Sequence, residues 1–149
     1  MMLKSNKKNK DVRLTKKGRS GSRQLLLQVL YQHQLNGDQH DALLTQSKQT
    51  KEFARIDQEY FELLLEEILE DTDTLDKIAF KFADRSIEEL DPVERAILWI
   101  GLCEFSFHKD TPPVVVINEA IELAKIFGAQ DSFQFINGVL DSFLQEQTT

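Results

Sequence analysis

Basic side chains gather where the first helix is predicted to begin, and they are the clearest candidates for chemistry in the sequence. Lys16, Lys17, Arg19 and Arg23 follow one another closely. The first backbone N–H groups of a helix have no partner within the helix, and the helix dipole is positive at that end, so phosphate binds well there. Lysine and arginine side chains add charge to such a site. The pattern therefore indicates a site for a polyanion.

The charge of the chain is divided unevenly along its 149 residues. Residues 1–23 contain nine basic side chains and one acid, a net charge of +8, whereas residues 24–149 contain nine basic side chains and 24 acids, a net charge of −15. A basic arm on an acidic body is typical of proteins that bind nucleic acid. A solubilising tail fits the charge alone equally well. Because residues 1–18 contain few large apolar side chains, we expect a flexible arm there.

One aromatic side chain adds a second binding signal near the C-terminus. Phe135 lies at the flank of the apolar stripe of the last predicted helix. An aromatic ring at such a position can stack on an unpaired base of single-stranded RNA. The alternative is a peripheral packing role, and the residue pattern leaves both interpretations open.

Motifs for catalysis, metal binding and cofactor binding are absent from the sequence. It contains no Gly-rich phosphate loop, no dinucleotide-binding fingerprint and no G-x-S-x-G nucleophile elbow. Its three histidines never form H-E-x-x-H. The single cysteine, Cys103, excludes an intrachain disulfide and a cysteine-based zinc site. We therefore predict a non-enzymatic protein without metal or cofactor, in which Cys103 is a buried thiol.

The elements that position these side chains are predicted to be helices. Only six glycines and three prolines interrupt the chain, which favours long helices over many short strands. The helix after Asp91-Pro92 is apolar almost all round, with Trp99 in its middle, and should be the central buried element. Periodicity and end signals predict seven helices: from Ser20 or Ser22 to Leu35, 41–49, 57–70, 72–82, from Asp91-Pro92 onward, 114–127, and from Asp131 or Ser132 onward.

Three details of these helices are specific enough to be tested. Ser20 or Ser22 is expected to cap the first helix, and Gln134 to complete a capping box on Asp131 at the last one. Gly138 is expected at a close helix–helix contact. The first helix is also expected to have a second, outer face of mixed polarity, formed by Gln24, Leu27, Gln28, Tyr31 and Leu35.

The sequence contains no candidate for a membrane span or an export signal. Its longest apolar stretch, Ala96–Cys103, is far too short to cross a bilayer. The basic N-terminus is not followed by an apolar secretory segment. We therefore expect a cytoplasmic protein.

Several segments together resemble the NusB family of transcription antitermination factors. The stretch LDPVERAILWIGLCEF at residues 90–105 resembles the central helix of that family. INEAIELAK at 117–125 and FINGVLD at 135–141 resemble its C-terminal pair of helices, and residues 23–31 resemble its first helix. The resemblance extends over residues 19–144 and is weakest over 36–56.

The resemblance implies an all-α fold of about seven helices in two packed small helical bundles, with residues 19–149 as a single domain. It implies binding to boxA-type single-stranded RNA together with the ribosomal protein NusE. The complex then loads onto RNA polymerase and suppresses termination, notably in ribosomal RNA operons. A monomer and a homodimer are both compatible with the family.

The resemblance also assigns residues to these partners. The family's RNA contacts lie at the starts of the first and last helices and fall on Arg19, Arg23, Asp131 and Phe135; the basic cluster adds Lys16 and Lys17 to our predicted RNA site. The family's NusE contacts fall on Tyr31 and Glu94, and the mixed outer face of the first helix adds Leu27. Family members often carry a run of arginines where this chain has Ser20-Gly21-Ser22, and a lysine is common at Gln134. We therefore expect modest affinity for RNA without the partner protein.

Two alternatives remain open from the sequence. NusB-like domains also precede RNA cytosine methyltransferases, although this chain has no Gly-rich cofactor segment. A helical dimerisation or protein-interaction module with a solubilising basic tail fits the composition as well. RNA binding that weakens steeply with salt distinguishes an RNA-binding factor from such a module, because each phosphate contact releases counterions.

Overall fold

The computed structural model describes residues 14–148, apart from the side chain of Ile87, and the greater part of the predicted arm, residues 1–13, lies outside it. Within these residues the backbone forms α-helices and two short 3-10 turns and no strand, so the predicted all-α class is confirmed. None of the described helices is long and apolar enough to cross a membrane. The seven helices are α1 (Gly18–Asn36), α2 (His40–Lys48), α3 (Gln58–Glu70), α4 (Thr72–Phe82), α5 (Pro92–Phe107), α6 (Pro113–Phe127) and α7 (Ser132–Gln147).

The described residues divide into two compact units, one that ends at Glu70 and one that begins at Asp71. The first unit holds α1 to α3 and the 3-10 turn Lys51–Arg55, and the second holds α4 to α7 and the 3-10 turn Ile87–Glu89. This division agrees with the predicted pair of small helical bundles.

Helix α1 is the core of the first unit. Every residue from 21 to 30 is buried, and α1 packs against α3, whose Phe61, Leu64, Leu65 and Ile68 are completely buried. Burial of this much apolar surface is the main stabilising contribution of the unit. The helix ends at Asn36, one residue beyond the predicted Leu35, because Gly37 takes a left-handed conformation (φ +77°) and its N–H donates to the His33 carbonyl at 2.9 Å.

Helix α5 is the core of the second unit, as its all-round apolar sequence predicted. It is buried from Ala96 to Glu104, including Trp99 and the thiol of Cys103, and it packs against α4, α6 and α7. Helices α5 and α7 pack closely at Gly101, where an added Cβ would lie 3.1 Å from the side chain of Leu140. The predicted close contact at Gly138 is wrong, since no atom lies within 4 Å of the Cβ position there.

The predicted helix caps have mixed outcomes. Helix α5 begins at the predicted Asp91-Pro92 signal, and Asp91 caps it by accepting the N–H of Val93 at 2.6 Å. Ser20 and Ser22 do not cap α1, because the helix begins earlier, at Gly18. The capping box at α7 is also wrong: Asp131 makes no side-chain cap, and the Gln134 N–H donates to its backbone carbonyl instead.

Candidate nucleic-acid interface

The start of α1 is held against the start of α3 by hydrogen bonds between distant parts of the chain. The Asp57 N–H donates to the Gly18 carbonyl at 3.2 Å, and the Ser22 hydroxyl donates to the Asp57 carbonyl at 2.7 Å. Gly21 permits a close return of the preceding segment, because an added Cβ would lie 2.7 Å from the Lys16 carbonyl oxygen. Gly21 and Ser22 are buried. They therefore have a packing role at positions where an arginine side chain would not fit.

Residues 14–17, which we assigned to the arm, lie against α1. Leu14 is buried, and the side-chain carbonyl of Gln24 accepts the N–H groups of Thr15 at 3.0 Å and Lys16 at 3.2 Å. The Gln24 amide also donates to the Thr15 hydroxyl at 2.8 Å. The side chains of Lys16 and Lys17 are thus exposed to solvent, while their backbone is fixed to the start of α1.

Arg19 and Arg23 both lie over the ring of Tyr60, at the start of α3. The Arg19 guanidinium carbon is 4.1 Å from the ring centroid and that of Arg23 is 5.5 Å away, distances at which a cation is attracted to the aromatic face. Arg19 keeps a side-chain exposure of 48% and its Nε lies 3.4 Å from Oδ2 of Asp57. Arg23 is only 3% exposed. The two arginines predicted to bind RNA thus differ in accessibility, because Arg19 is half-exposed and Arg23 is buried.

The start of α7 carries the second predicted part of the site. Phe135 is half-buried, and the Arg85 guanidinium carbon lies 3.9 Å from the centroid of its ring. Nη1 of Arg85 donates to Oε1 of Glu94 at 3.1 Å, and the Ser132 hydroxyl donates to Oε2 at 2.8 Å. Asp131 is exposed beside this chain of contacts. The start of α7 is therefore held to α5 through one buried carboxylate.

The residues predicted to contact the partner protein differ in accessibility. Leu27 is completely buried, so its assignment to an outer contact face is wrong. The reason is that α1 is enclosed on all sides from residue 21 to 30, and the predicted mixed face is internal at Gln24, Leu27 and Gln28. Glu94 is also buried, at 5% exposure, and committed to Arg85 and Ser132. Tyr31 is half-buried and keeps part of its surface.

The sequence interpretation missed three residues of these two regions: Asp57, Tyr60 and Arg85. Asp57 and Tyr60 are 38 residues or more beyond Arg19 in the chain, and Arg85 lies in the connection between α4 and α5. No local spacing pairs residues so far apart. The only sequence feature that could have identified them is a charged or aromatic side chain near a predicted helix end.

The fold and the region around Arg19 define an all-α protein with exposed cations at a helix start, a surface suited to an anionic ligand. The NusB family model matches residues 20–145. The chain belongs to the NusB family. It is 45% identical over 132 residues to the transcription antitermination protein NusB of Alcanivorax borkumensis, covering 89% of this chain and 88% of the relative. It is 38% identical to that of an Acidovorax species, covering 85% of this chain and 72% of the relative.

Solved structures agree with this assignment. The fold is similar to T. maritima NusB, with a TM-score of 0.75 and 28% identity, covering 90% of this chain and 94% of the other. It is also similar to a chain in the crystal structure of the antitermination factors NusB and NusE in complex with double-stranded RNA. There the TM-score is 0.71 and the identity 26%, covering 85% of this chain and 96% of the other. The family prediction is confirmed.

Proposed function

We propose that this protein is a transcription antitermination factor that binds boxA-type single-stranded RNA together with the ribosomal protein NusE. The observation that carries the proposal is the set of exposed cations, Lys16, Lys17 and Arg19, on a backbone fixed to the start of α1. Family membership supports the antitermination role, and a relative occurs with NusE and RNA in a solved complex. The complex with RNA and NusE then joins RNA polymerase and suppresses termination, notably in ribosomal RNA operons.

In this proposal the two regions contribute different contacts to RNA. Lys16, Lys17 and Arg19 contact phosphates, and Arg23, buried below Arg19, adds positive potential from the interior. At the start of α7, the uncovered part of the Phe135 ring stacks on an unpaired base. The exposed carboxylate of Asp131 accepts hydrogen bonds from base amino groups.

NusE is proposed to contact the exposed part of Tyr31. Glu94 then contributes by fixing Arg85 and Ser132, and Leu27 by supporting α1 from within. The protein works in the cytoplasm as a single domain over residues 19–149, with the backbone of residues 14–17 held against the start of α1. Both a monomer and a homodimer are compatible with this role.

The RNA proposal is tested by titrating a boxA oligonucleotide at increasing salt. Each phosphate neutralised on single-stranded RNA should contribute about −0.7 to the slope of log K against log salt. Replacing Lys16 and Lys17 by Ala should lower the affinity and flatten this slope by up to about 1.4. The matched control is Lys77→Ala, an exposed cation of α4. Unchanged affinity and slope in the double variant would refute the RNA site and favour the interaction module with a solubilising tail.

The partner proposal is tested by co-purification with NusE, with and without the boxA oligonucleotide. Tyr31→Ala should reduce recovery of NusE with little effect on thermal stability, because the side chain is only half-buried. A Tyr31→Ala protein that melts far below the parent would identify Tyr31 as a packing residue. Full recovery of NusE would show that the contact lies elsewhere.

A further inference from the structure

Arg19, the exposed arginine of the proposed RNA site, already has an anion of the protein beside it. Oδ2 of Asp57 lies 3.4 Å from Nε of Arg19, and both side chains are partly exposed, at 36% and 48%. The guanidinium is also held over the Tyr60 ring at 4.1 Å. A phosphate that approaches Arg19 therefore meets a cation whose charge is partly compensated.

The position of this carboxylate is set by the backbone and not by Arg19. The Asp57 N–H donates to the Gly18 carbonyl, and the Asp57 carbonyl accepts from Ser22. Its Oδ1 accepts the N–H of Tyr60 at 3.1 Å, which caps the start of α3. With both backbone groups and one carboxylate oxygen engaged, the other oxygen stays directed to Arg19.

A surface cavity of about 330 Å³ opens at this pair, lined by Arg19, Asp57, Glu59, Tyr60 and Leu63. It contains one cation and two acids, so its charge opposes the entry of an anion. The exposed Lys16 and Lys17 precede Arg19 in the chain and have no such acid paired with them among the described contacts. The acidic charge is thus concentrated beside Arg19, the exposed arginine of the site.

We infer that Asp57 is a built-in competitor of the RNA phosphate at Arg19 and limits the affinity of the protein for RNA alone. The inference rests on the proposed function, because it concerns the same RNA site. A phosphate at Arg19 must share the positive charge of the guanidinium with this carboxylate, which lies at Nε, or displace it. RNA delivered with further contacts from a partner protein overcomes this competition, whereas isolated polyanions do so poorly.

The test is the variant Asp57→Asn, which removes the charge and keeps an oxygen able to cap α3. Binding of a single-stranded boxA oligonucleotide should tighten about two- to fivefold at low salt, the effect of one exposed ion pair. The gain should shrink as salt screens the charges. Asp57→Ser, a second neutral capping residue, should give the same result if Asn perturbs folding. Glu62→Gln is the matched control, since Glu62 pairs with Lys48 at 3.9 Å in the same unit and should leave binding unchanged.

The Arg19→Ala background separates this inference from the proposed function. If Arg19→Ala weakens binding and Asp57→Asn tightens it only when Arg19 is present, the competition is established. If Arg19→Ala weakens binding but neither neutral variant of Asp57 tightens it, the competition is refuted while the RNA site stands. Equal tightening with and without Arg19 would also refute it, since the effect would then be one of overall charge. If Arg19→Ala leaves binding unchanged, the RNA contact at Arg19 is itself refuted.

Discussion

Two regions of the molecule place an arginine on an aromatic ring, and they differ in how the arginine is neutralised. Arg19 lies 4.1 Å from the Tyr60 centroid at the start of α1, and Arg85 lies 3.9 Å from the Phe135 centroid at the start of α7. Arg19 pairs with Asp57, whose side chain is 36% accessible to solvent. Arg85 pairs with Glu94, whose side chain is only 7% accessible.

This difference indicates different roles for the two arginines. An exposed ion pair in water contributes little and exchanges readily with another anion. A buried carboxylate keeps its two hydrogen-bond donors, because losing either one leaves its negative charge less compensated in the protein interior, where charges are poorly solvated. Arg19 is therefore available to RNA, and Arg85 holds Phe135 and the start of α7 in position.

The largest expected effect is at the buried carboxylate of Glu94. Glu94→Ala should lower the free energy of unfolding by about 2 kcal/mol, because the buried Ser132 hydroxyl and the partly exposed Arg85 guanidinium both lose their acceptor. Denaturant unfolding followed by circular dichroism measures it, with Glu122→Ala, an exposed acid of α6, as the control. A loss no larger than in the control would show that Glu94 does not hold this region, and the comparison would fail.

The next effect concerns RNA binding at α7. Phe135→Ala should weaken binding of the boxA oligonucleotide by about 1–2 kcal/mol, within the range of about 1–3 kcal/mol for one stacked base. Phe133 is the matched control, since it is also half-buried and has a cation, Lys125, 5.1 Å from its ring. Equal losses for Phe133→Ala and Phe135→Ala in the same titration would point to a general disturbance of the helix start.

Local signals in the sequence were sufficient to predict the helices of both regions. Gly37 and Asp91-Pro92 mark helix ends through backbone conformations that their own residues favour. Apolar periodicity identified α5 as the central element of its unit because Trp99 and its neighbours are apolar on every side. Such information is carried by residues close together in the chain.

The contacts that define the two regions could not be predicted from local sequence signals, because they join residues far apart in the chain. Ser22 looked like a helix cap, yet its hydroxyl donates to Asp57, 35 residues away. Leu27 looked like part of an outer face, because a helical wheel gives the direction of a side chain but not what packs there. Arg85 and Phe135 are brought together only by the packing of the second unit.

The smallest expected effect tests whether the ring beneath Arg19 matters apart from charge. Arg19→Lys keeps the positive charge but loses the planar group that stacks on Tyr60. RNA binding should therefore weaken by about 0.5–1 kcal/mol, less than for Arg19→Ala, while thermal stability stays nearly constant because the side chain is half-exposed. Fluorescence anisotropy with a labelled boxA oligonucleotide resolves this difference. If the Arg19→Lys variant binds RNA as tightly as the parent protein, the charge at this position is sufficient for binding. The Arg19–Tyr60 pair would then resemble the Arg85–Phe135 pair in geometry but not in function.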